Sequence, residues 1–221
     1  MIVTFDLFSA LTDSRRGGSR VFGWLAEARG WDFDGEMLYD RWDTHNKVAQ
    51  RECTSWVSYR ELSEQALAET YRELGLDGDV SGDSRVIAES VADWPLWPDV
   101  PAGLRSLADG YQVGVLSNVD DALFRITKAS APVDASYVLT SERLRAYKPN
   151  HAIYERAAAH ADGLVHIASS ARDVRGALEA GIPTIRLVRP GHYLDTDGPT
   201  PTHEVSEVQQ LAEVLPQIPQ R

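Results

Sequence analysis

Cysteine is all but absent from this chain: Cys53 is the only one in 221 residues. A single thiol excludes an intramolecular disulfide and makes a reducing compartment the simplest home. No cluster of positive neighbours surrounds it, so Cys53 reads as a buried, inert thiol. Basic charge is also short, with 22 Lys and Arg against 33 Asp and Glu and a formal charge of -11. Nucleic acid and anionic membranes attract basic surfaces, so neither is expected as a partner. A small anionic ligand stays open, because it responds to the local field of a pocket. No apolar run approaches the roughly 20 residues that a membrane-spanning helix needs. Asp6 and Asp13 break up the N-terminal segment where a secretory signal would run. The expectation is a cytoplasmic protein, monomer or homodimer, acting on a small molecule.

What is present begins at the N-terminus. Met-Ile-Val-Thr-Phe is short, β-branched and almost wholly apolar, the pattern of a strand buried on both faces of a parallel sheet. It ends on Asp6, and acids at the carboxyl ends of strands in an α/β sheet lie at the edge where such folds bind ligands. Asp13 to Arg20 is polar and glycine-rich and reads as a loop or hinge, with Arg15, Arg16 and Arg20 solvated. From Val21 to about Val91 the periodicity is helical. Phe22, Leu25 and Ala26 stop at Gly30, and a second helix runs from about Met37 to Glu52. Tyr59, Leu62, Ala66, Leu67, Thr70 and Leu74 stop at Gly75, and a fourth helix covers Asp83 to Ala92.

Trp94 to Pro101 is a proline-studded re-entry segment. Beyond it, strands and helices alternate: helix 102–108, strand 111–116, helix 120–129, strand 135–139, helix 151–160, strand 164–168, helix 173–180 and strand 184–187. Such alternation implies right-handed crossovers and a parallel sheet, an α/β fold. Arg189 to Pro201 reads as a surface loop, and the tail from Thr202 to Leu215 as a short strand and closing helix.

Four strand ends carry candidate chemistry: Asp6, Ser117-Asn118, Lys148 in Tyr-Lys-Pro, and Ser169-Ser170-Ala171-Arg172-Asp173. Parallel strands bring their carboxyl ends to one edge, and Lys148 joins them if its loop folds back. Lysine is rare here, being found only at 47, 128 and 148, so its use before Pro149 is informative. A carboxylate in such company can attack carbon or phosphorus and form a covalent intermediate that water removes. A neighbouring ammonium keeps that carboxylate ionised.

These residues together resemble the haloacid dehalogenase superfamily. Phe5-Asp6-Leu7-Phe8, Leu116-Ser117-Asn118, Tyr147-Lys148-Pro149 and Ala168-Ser169-Ser170-Ala171-Arg172-Asp173 match its four motifs in order. The likeness extends from Met1 to about Val188. It implies a Rossmann-like core of residues 1–14 and 93–221, with a mostly parallel sheet, and an inserted all-helical cap of residues 15–92.

Departures choose the branch. The superfamily's phosphatases place a second Asp two positions after the nucleophile, where this chain has Phe8. They also carry a Mg²⁺-binding acid where Ser169 stands. An aromatic at position 8 and Ser-Ser before Asp173 instead resemble the 2-haloacid dehalogenases, which need no metal. That likeness implies Asp6 as nucleophile, Lys148 as its charge partner, and Asp173 to orient or activate the hydrolytic water. It implies Ser117 and Asn118 as holders of the substrate carboxylate, with Phe8, Ser169 and Ser170 around the substrate. The branch usually has Gly-Thr where this chain has Ser9-Ala10, and a cap arginine as halide acceptor, for which Arg41 is the nearest candidate. Trp42 is a possible pocket wall. No cofactor is expected. The alternatives are a phosphatase using Mg²⁺ at a weakened site, and a non-catalytic binding module on the same scaffold.

Overall fold

The computed structural model describes residues 1–160 and 163–219. Its centre is strand β1 (Ile2–Phe5), all four residues of which are buried. β2 (Gln112–Ser117) and β3 (Val138–Thr140) lie on one side of it, and β4 (Leu164–Ala168), β5 (Thr184–Leu187) and β6 (His203–Val205) on the other. The order is β3-β2-β1-β4-β5-β6, and every neighbouring pair is parallel. The chain leaves β1 toward β2 and later returns to its other flank at β4. The reversal of strand order therefore falls at the carboxyl end of β1, where open α/β sheets bind ligands.

Helices cover both faces of the sheet. Val100, Leu104 and Leu107 of α5 (Val100–Ala108) and Leu211 of α10 (Leu211–Val214) pack on one face with Val3, Phe5, Val115 and Ile167. Ile153 and Tyr154 of α8 (His151–His160) and Ala177 of α9 (Ala171–Glu179) pack on the other, with Leu116, Leu139 and Leu164. Short helices α6 (Asp121–Ile126) and α7 (Ser141–Leu144) complete the crossovers around β3.

Between β1 and α5 stand four α-helices: α1 (Ser14–Arg29), α2 (Gly35–Glu52), α3 (Tyr59–Leu74) and α4 (Val80–Ser90). They bury a cluster of their own, including Phe22, Leu25, Leu38, Trp42, Leu67 and Ile87. Their stops are local: Gly30 and Gly75 cap α1 and α3 at φ of 68° and 64°, a left-handed conformation that costs glycine nothing. The insertion is tied to the sheet domain. Asp120 accepts from Tyr59 N and Arg60 N, both at 2.9 Å, and so caps α3 from across the boundary.

Some sequence expectations are corrected. Asp13 to Arg20 is not a loop: Asp13 caps α1, and Gly17 and Gly18 are helical positions where a side chain would collide with Trp94 and Tyr39. The glycines there serve close packing, which mimics a loop composition. The helix after the proline-rich segment starts at Val100, with Pro101 in its first turn, where a missing N–H costs nothing. Residues 135–137 form a 3₁₀ turn, and β3 begins only at Val138. Arg189, read as part of a surface loop, is 5% exposed and pairs with Asp99 at 2.7 Å while donating to Ala10 O. Cys53 follows the end of α2 and is half-buried, its thiol 2.6 Å from Ser55 O.

Candidate active site

The end of β1 delivers Asp6 into a π-helical turn (Leu7–Leu11) that folds back over it. Ser9 donates to Asp6 Oδ2 through both its backbone N–H (3.2 Å) and its hydroxyl (2.5 Å). The other oxygen, Oδ1, accepts from Lys148 Nζ at 3.1 Å and from Ser117 Oγ, off the end of β2, at 3.3 Å. Burial pushes the Asp6 carboxyl up and the Lys148 ammonium pulls it down, with Ser9 helping. The net position is below the ordinary carboxylate value, so Asp6 is an anion at neutral pH.

Lys148 is 2% exposed and its ammonium bridges two carboxylates, the second being Asp173 Oδ2 at 2.5 Å. Its loop folds back because Asn118 grips it: Lys148 N donates to Asn118 Oδ1 at 2.7 Å, and Asn118 Nδ2 donates to Lys148 O at 3.0 Å. Asp173, in the first turn of α9, is also 2% exposed. Besides Lys148 it accepts from Tyr154 Oη at 2.8 Å and faces His166 Nε2 at 3.1 Å. Burial opposes its charge, but Lys148 and His166 hold the carboxyl well below the usual range.

Above Asp6 opens a cavity of about 1230 Å³. Its floor is Asp6, Ser117 and Asn118 at strand ends with Lys148 of the folded-back loop and Asp173 of α9, and its roof comes from α1 and α2. Phe8 forms an aromatic wall with Tyr59 and Trp94, at ring distances of 6.0 and 5.9 Å. Trp42 and Ser170 line it too. Asp6, Lys148, Asp173, Ser117, Asn118, Phe8 and Ser170, all singled out from sequence, are thus gathered in one place.

Three expectations fail in detail. Ser169 turns its hydroxyl away, to Leu187 O at 2.7 Å, and is fully buried in the sheet rim. Arg41 points to solvent and pairs with Glu73 at 3.3 Å; helical phase puts it opposite the face that Trp42, Asn46 and Gln50 present inward. Asn118 lines the cavity, but its amide is occupied by Lys148 O and by Gln50 Oε1 at 2.8 Å. It fixes the lysine loop and joins it to α2, leaving no N–H free for a ligand.

Other participants were not singled out from sequence. His166 is 0% exposed within β4, held between Thr4 Oγ1 and Asp173. An imidazole inside an otherwise apolar strand was the available signal. Gln50 and Tyr154 look like ordinary helix residues and gave none. Arg172 lines the cavity with one long contact, 3.5 Å to Gln50 Oε1, and makes no ion pair among the described residues. His192 enters from the loop after β5.

A carboxylate braced by an ammonium at the tip of the first strand of a doubly covered parallel sheet fits a class of α/β hydrolase. The chain belongs to the haloacid dehalogenase-like hydrolase family, whose model matches residues 1–181. It is 28% identical over 169 residues to an (S)-2-haloacid dehalogenase of Pseudomonas sp. (strain YL), covering 72% of each chain. With an (S)-2-haloacid dehalogenase of Pseudomonas putida it shares 26% over 167 residues, 72% of this chain and 74% of that one. Its fold matches the L-2-haloacid dehalogenase of Xanthobacter autotrophicus with chloropropionic acid covalently bound, at a TM-score of 0.81, 19% identity and 99% coverage of both chains. No helix among the described residues is long and apolar enough to cross a membrane.

Proposed function

We propose that the chain is a metal-independent hydrolytic dehalogenase of small 2-haloacids, with residues 15–92 as the cap and residues 1–14 and 93–221 as the core. Asp6 attacks C2 of the substrate; the C–O bond forms as the carbon–halogen bond breaks, and halide leaves with the bonding pair. An ester on Asp6 results, and water hydrolyses it to the 2-hydroxyacid. Lys148 keeps Asp6 ionised and ready. Ser117 and Ser9 hold its two oxygens so that the attacking lone pair points into the cavity. Arg172 supplies cationic hydrogen-bond donors suited to the substrate carboxylate. Phe8 and Trp42 give the halogen an apolar wall, and Ser170 adds a small polar edge.

Metal independence is supported by the donor set. Mg²⁺ asks for several hard oxygens in near-octahedral array. Here both Asp6 oxygens and both Asp173 oxygens already accept from protein donors, and an ammonium stands between the two carboxylates. Ser169 faces away, and no group of three or more His, Cys, Asp or Glu among the described residues is placed to hold a metal. The residues do not fit the cation. The observation that carries the reading is the Lys148 ammonium bridging Asp6 and Asp173 under an aromatic wall. Halide release from 2-chloropropionate in excess chelator tests it. Wild type should turn over and Asp6→Asn should release none; a chelator-sensitive wild type that prefers phosphate esters would refute it.

A further inference from the structure

Strand β4 carries one titratable side chain in an otherwise apolar run, His166, and it is fully buried. The register of the sheet sets it directly beside Thr4 of β1. Alternation along both strands turns the pair toward α8 and α9, the face on which Ile2 and Leu164 pack with Tyr154 and Ala177. There the imidazole meets the carboxylate of Asp173. His166 Nε2 stands 3.1 Å from Asp173 Oδ2, and His166 Nδ1 stands 3.1 Å from Thr4 Oγ1. A bare nitrogen would repel an anionic oxygen at that distance, so Nε2 carries a hydrogen and donates it to Asp173. In the neutral ring Nδ1 is then the acceptor, and the Thr4 hydroxyl is its donor.

These contacts fix how Asp173 presents itself. A carboxylate offers about four lone-pair sites, shared equally by its oxygens. Lys148 Nζ, at 2.5 Å, and His166 fill those of Oδ2, while Tyr154 Oη takes one on Oδ1 at 2.8 Å. The site left open is on Oδ1, and Asp173 lines the cavity above Asp6. Lys148 also donates to Asp6 Oδ1 at 3.1 Å, so the carboxylates are tied through one ammonium. Without the imidazole, Oδ2 gains a vacant site of its own. The carboxylate can then turn, or hold a water on the wrong oxygen.

We propose that His166 is a positioning residue for the second half-reaction, holding Asp173 so that Oδ1 takes the water that attacks the Asp6 ester. The inference rests on the covalent reading above, with Asp173 in the role that the family likeness implies, orienting or activating that water. Water oxygen bonds to the Asp6 carboxyl carbon as one water proton passes to Asp173. The tetrahedral adduct then expels the hydroxyacid oxygen, which receives that proton from Asp173. Asp6, left as the acid, releases the remaining proton to solvent, and His166 keeps its own hydrogen throughout. The titratable and charged groups around Asp173 are Lys148 of the folded-back loop, His166 of β4, Tyr154 of α8, Asp6 of β1 and Arg172 of α9. Burial pushes the Asp173 carboxyl up, Lys148 and then His166 pull it down, and the pull wins. The active anion is therefore present above that lowered value and is lost as the pH falls through it. Removing His166 removes one of the pulls, so this acidic limb moves to higher pH.

The experiment is a single turnover of 2-chloropropionate by excess enzyme in quenched flow, across a range of pH. Halide and the substrate mass on the Asp6 peptide are followed for wild type, His166→Phe, His166→Gln, Thr4→Val and the Thr4→Val/His166→Phe pair. His166→Phe keeps the ring shape and loses the donor. It should release halide at the wild-type rate, which reports a folded site. Its ester should decay about tenfold more slowly, the low end for a hydrogen bond to a charged group. The acidic limb of that decay should move to higher pH. Gln carries an amide N–H at the reach of Nε2, so His166→Gln should recover most of the loss. Thr4→Val should slow decay less than His166→Phe, and should add nothing to it in the pair, because the hydroxyl acts only through the ring. Equal slowing of halide release and ester decay overturns the proposal. So does an unmoved limb, a Gln variant no better than Phe, or additivity of the paired changes. A wild type whose Asp6 never carries the substrate mass overturns the covalent reading and this inference with it.

Discussion

The two walls of the cavity are built on opposite electrostatic plans. On the sheet side the central charges are buried and closely bonded: Lys148 and Asp173 have side chains only 3% exposed, and Asn118 fixes the loop that carries the lysine. On the insertion side the ion pairs lie at the surface. Arg15 binds Asp40 and Glu36 with its side chain 54% exposed, and Lys47 binds Asp43 within α2. Buried ion pairs are costly to break, because the survivor is left as an uncompensated charge in low dielectric. Exposed ones contribute from nothing to about 1 kcal/mol. The lesson is a division of labour: the sheet side holds its charges in fixed buried contacts, while the helical roof sets the cavity's shape.

The largest expected effect comes from breaking the sheet wall. Lys148→Met leaves Asp6 and Asp173 as neighbouring acids without their shared ammonium. Steady-state halide release should fall by about 10³-fold, the scale of losing a preorganised charged donor at a reacting centre. A variant within tenfold of wild type would mean that the bridging ammonium is not needed. The smallest effect should come from the roof's outer face. Arg41→Ala, which loses only the exposed contact to Glu73, should stay within twofold in kcat/KM and within about 1 kcal/mol in unfolding free energy by urea titration. A large loss of activity there would restore Arg41 to the site and erase the contrast between the walls.

The same contrast explains what could be read in the sequence. Sheet-side groups sit at strand ends, and the topology forces those ends together, so Asp6, Ser117 and Asp173 could be grouped without coordinates. Lys148 needed a loop to turn back, and the side chain that turns it, Asn118, was recognised for a different task. The roof was legible as helices because apolar spacing and glycine stops are local signals. Which helical residues face inward depends on how α2 docks, a long-range matter, so Arg41 was chosen where Asn46 and Gln50 were the inward residues. Ser169 failed for a similar reason: a hydroxyl at a strand end can face the site or the neighbouring strand, and here β5 offers an acceptor in Leu187 O. Gly17 and Gly18 misled because glycine marks close packing as readily as it marks turns.

The central claim is that Asp6 becomes covalently bonded to the substrate. A single turnover in H₂¹⁸O, with enzyme in excess over 2-chloropropionate and chelator present, tests it most directly. The account predicts that the label enters the peptide bearing Asp6 and that the 2-hydroxyacid formed carries unlabelled oxygen from the protein. Label found wholly in the hydroxyacid, with the Asp6 peptide unchanged in mass, would mean that water attacks the substrate directly.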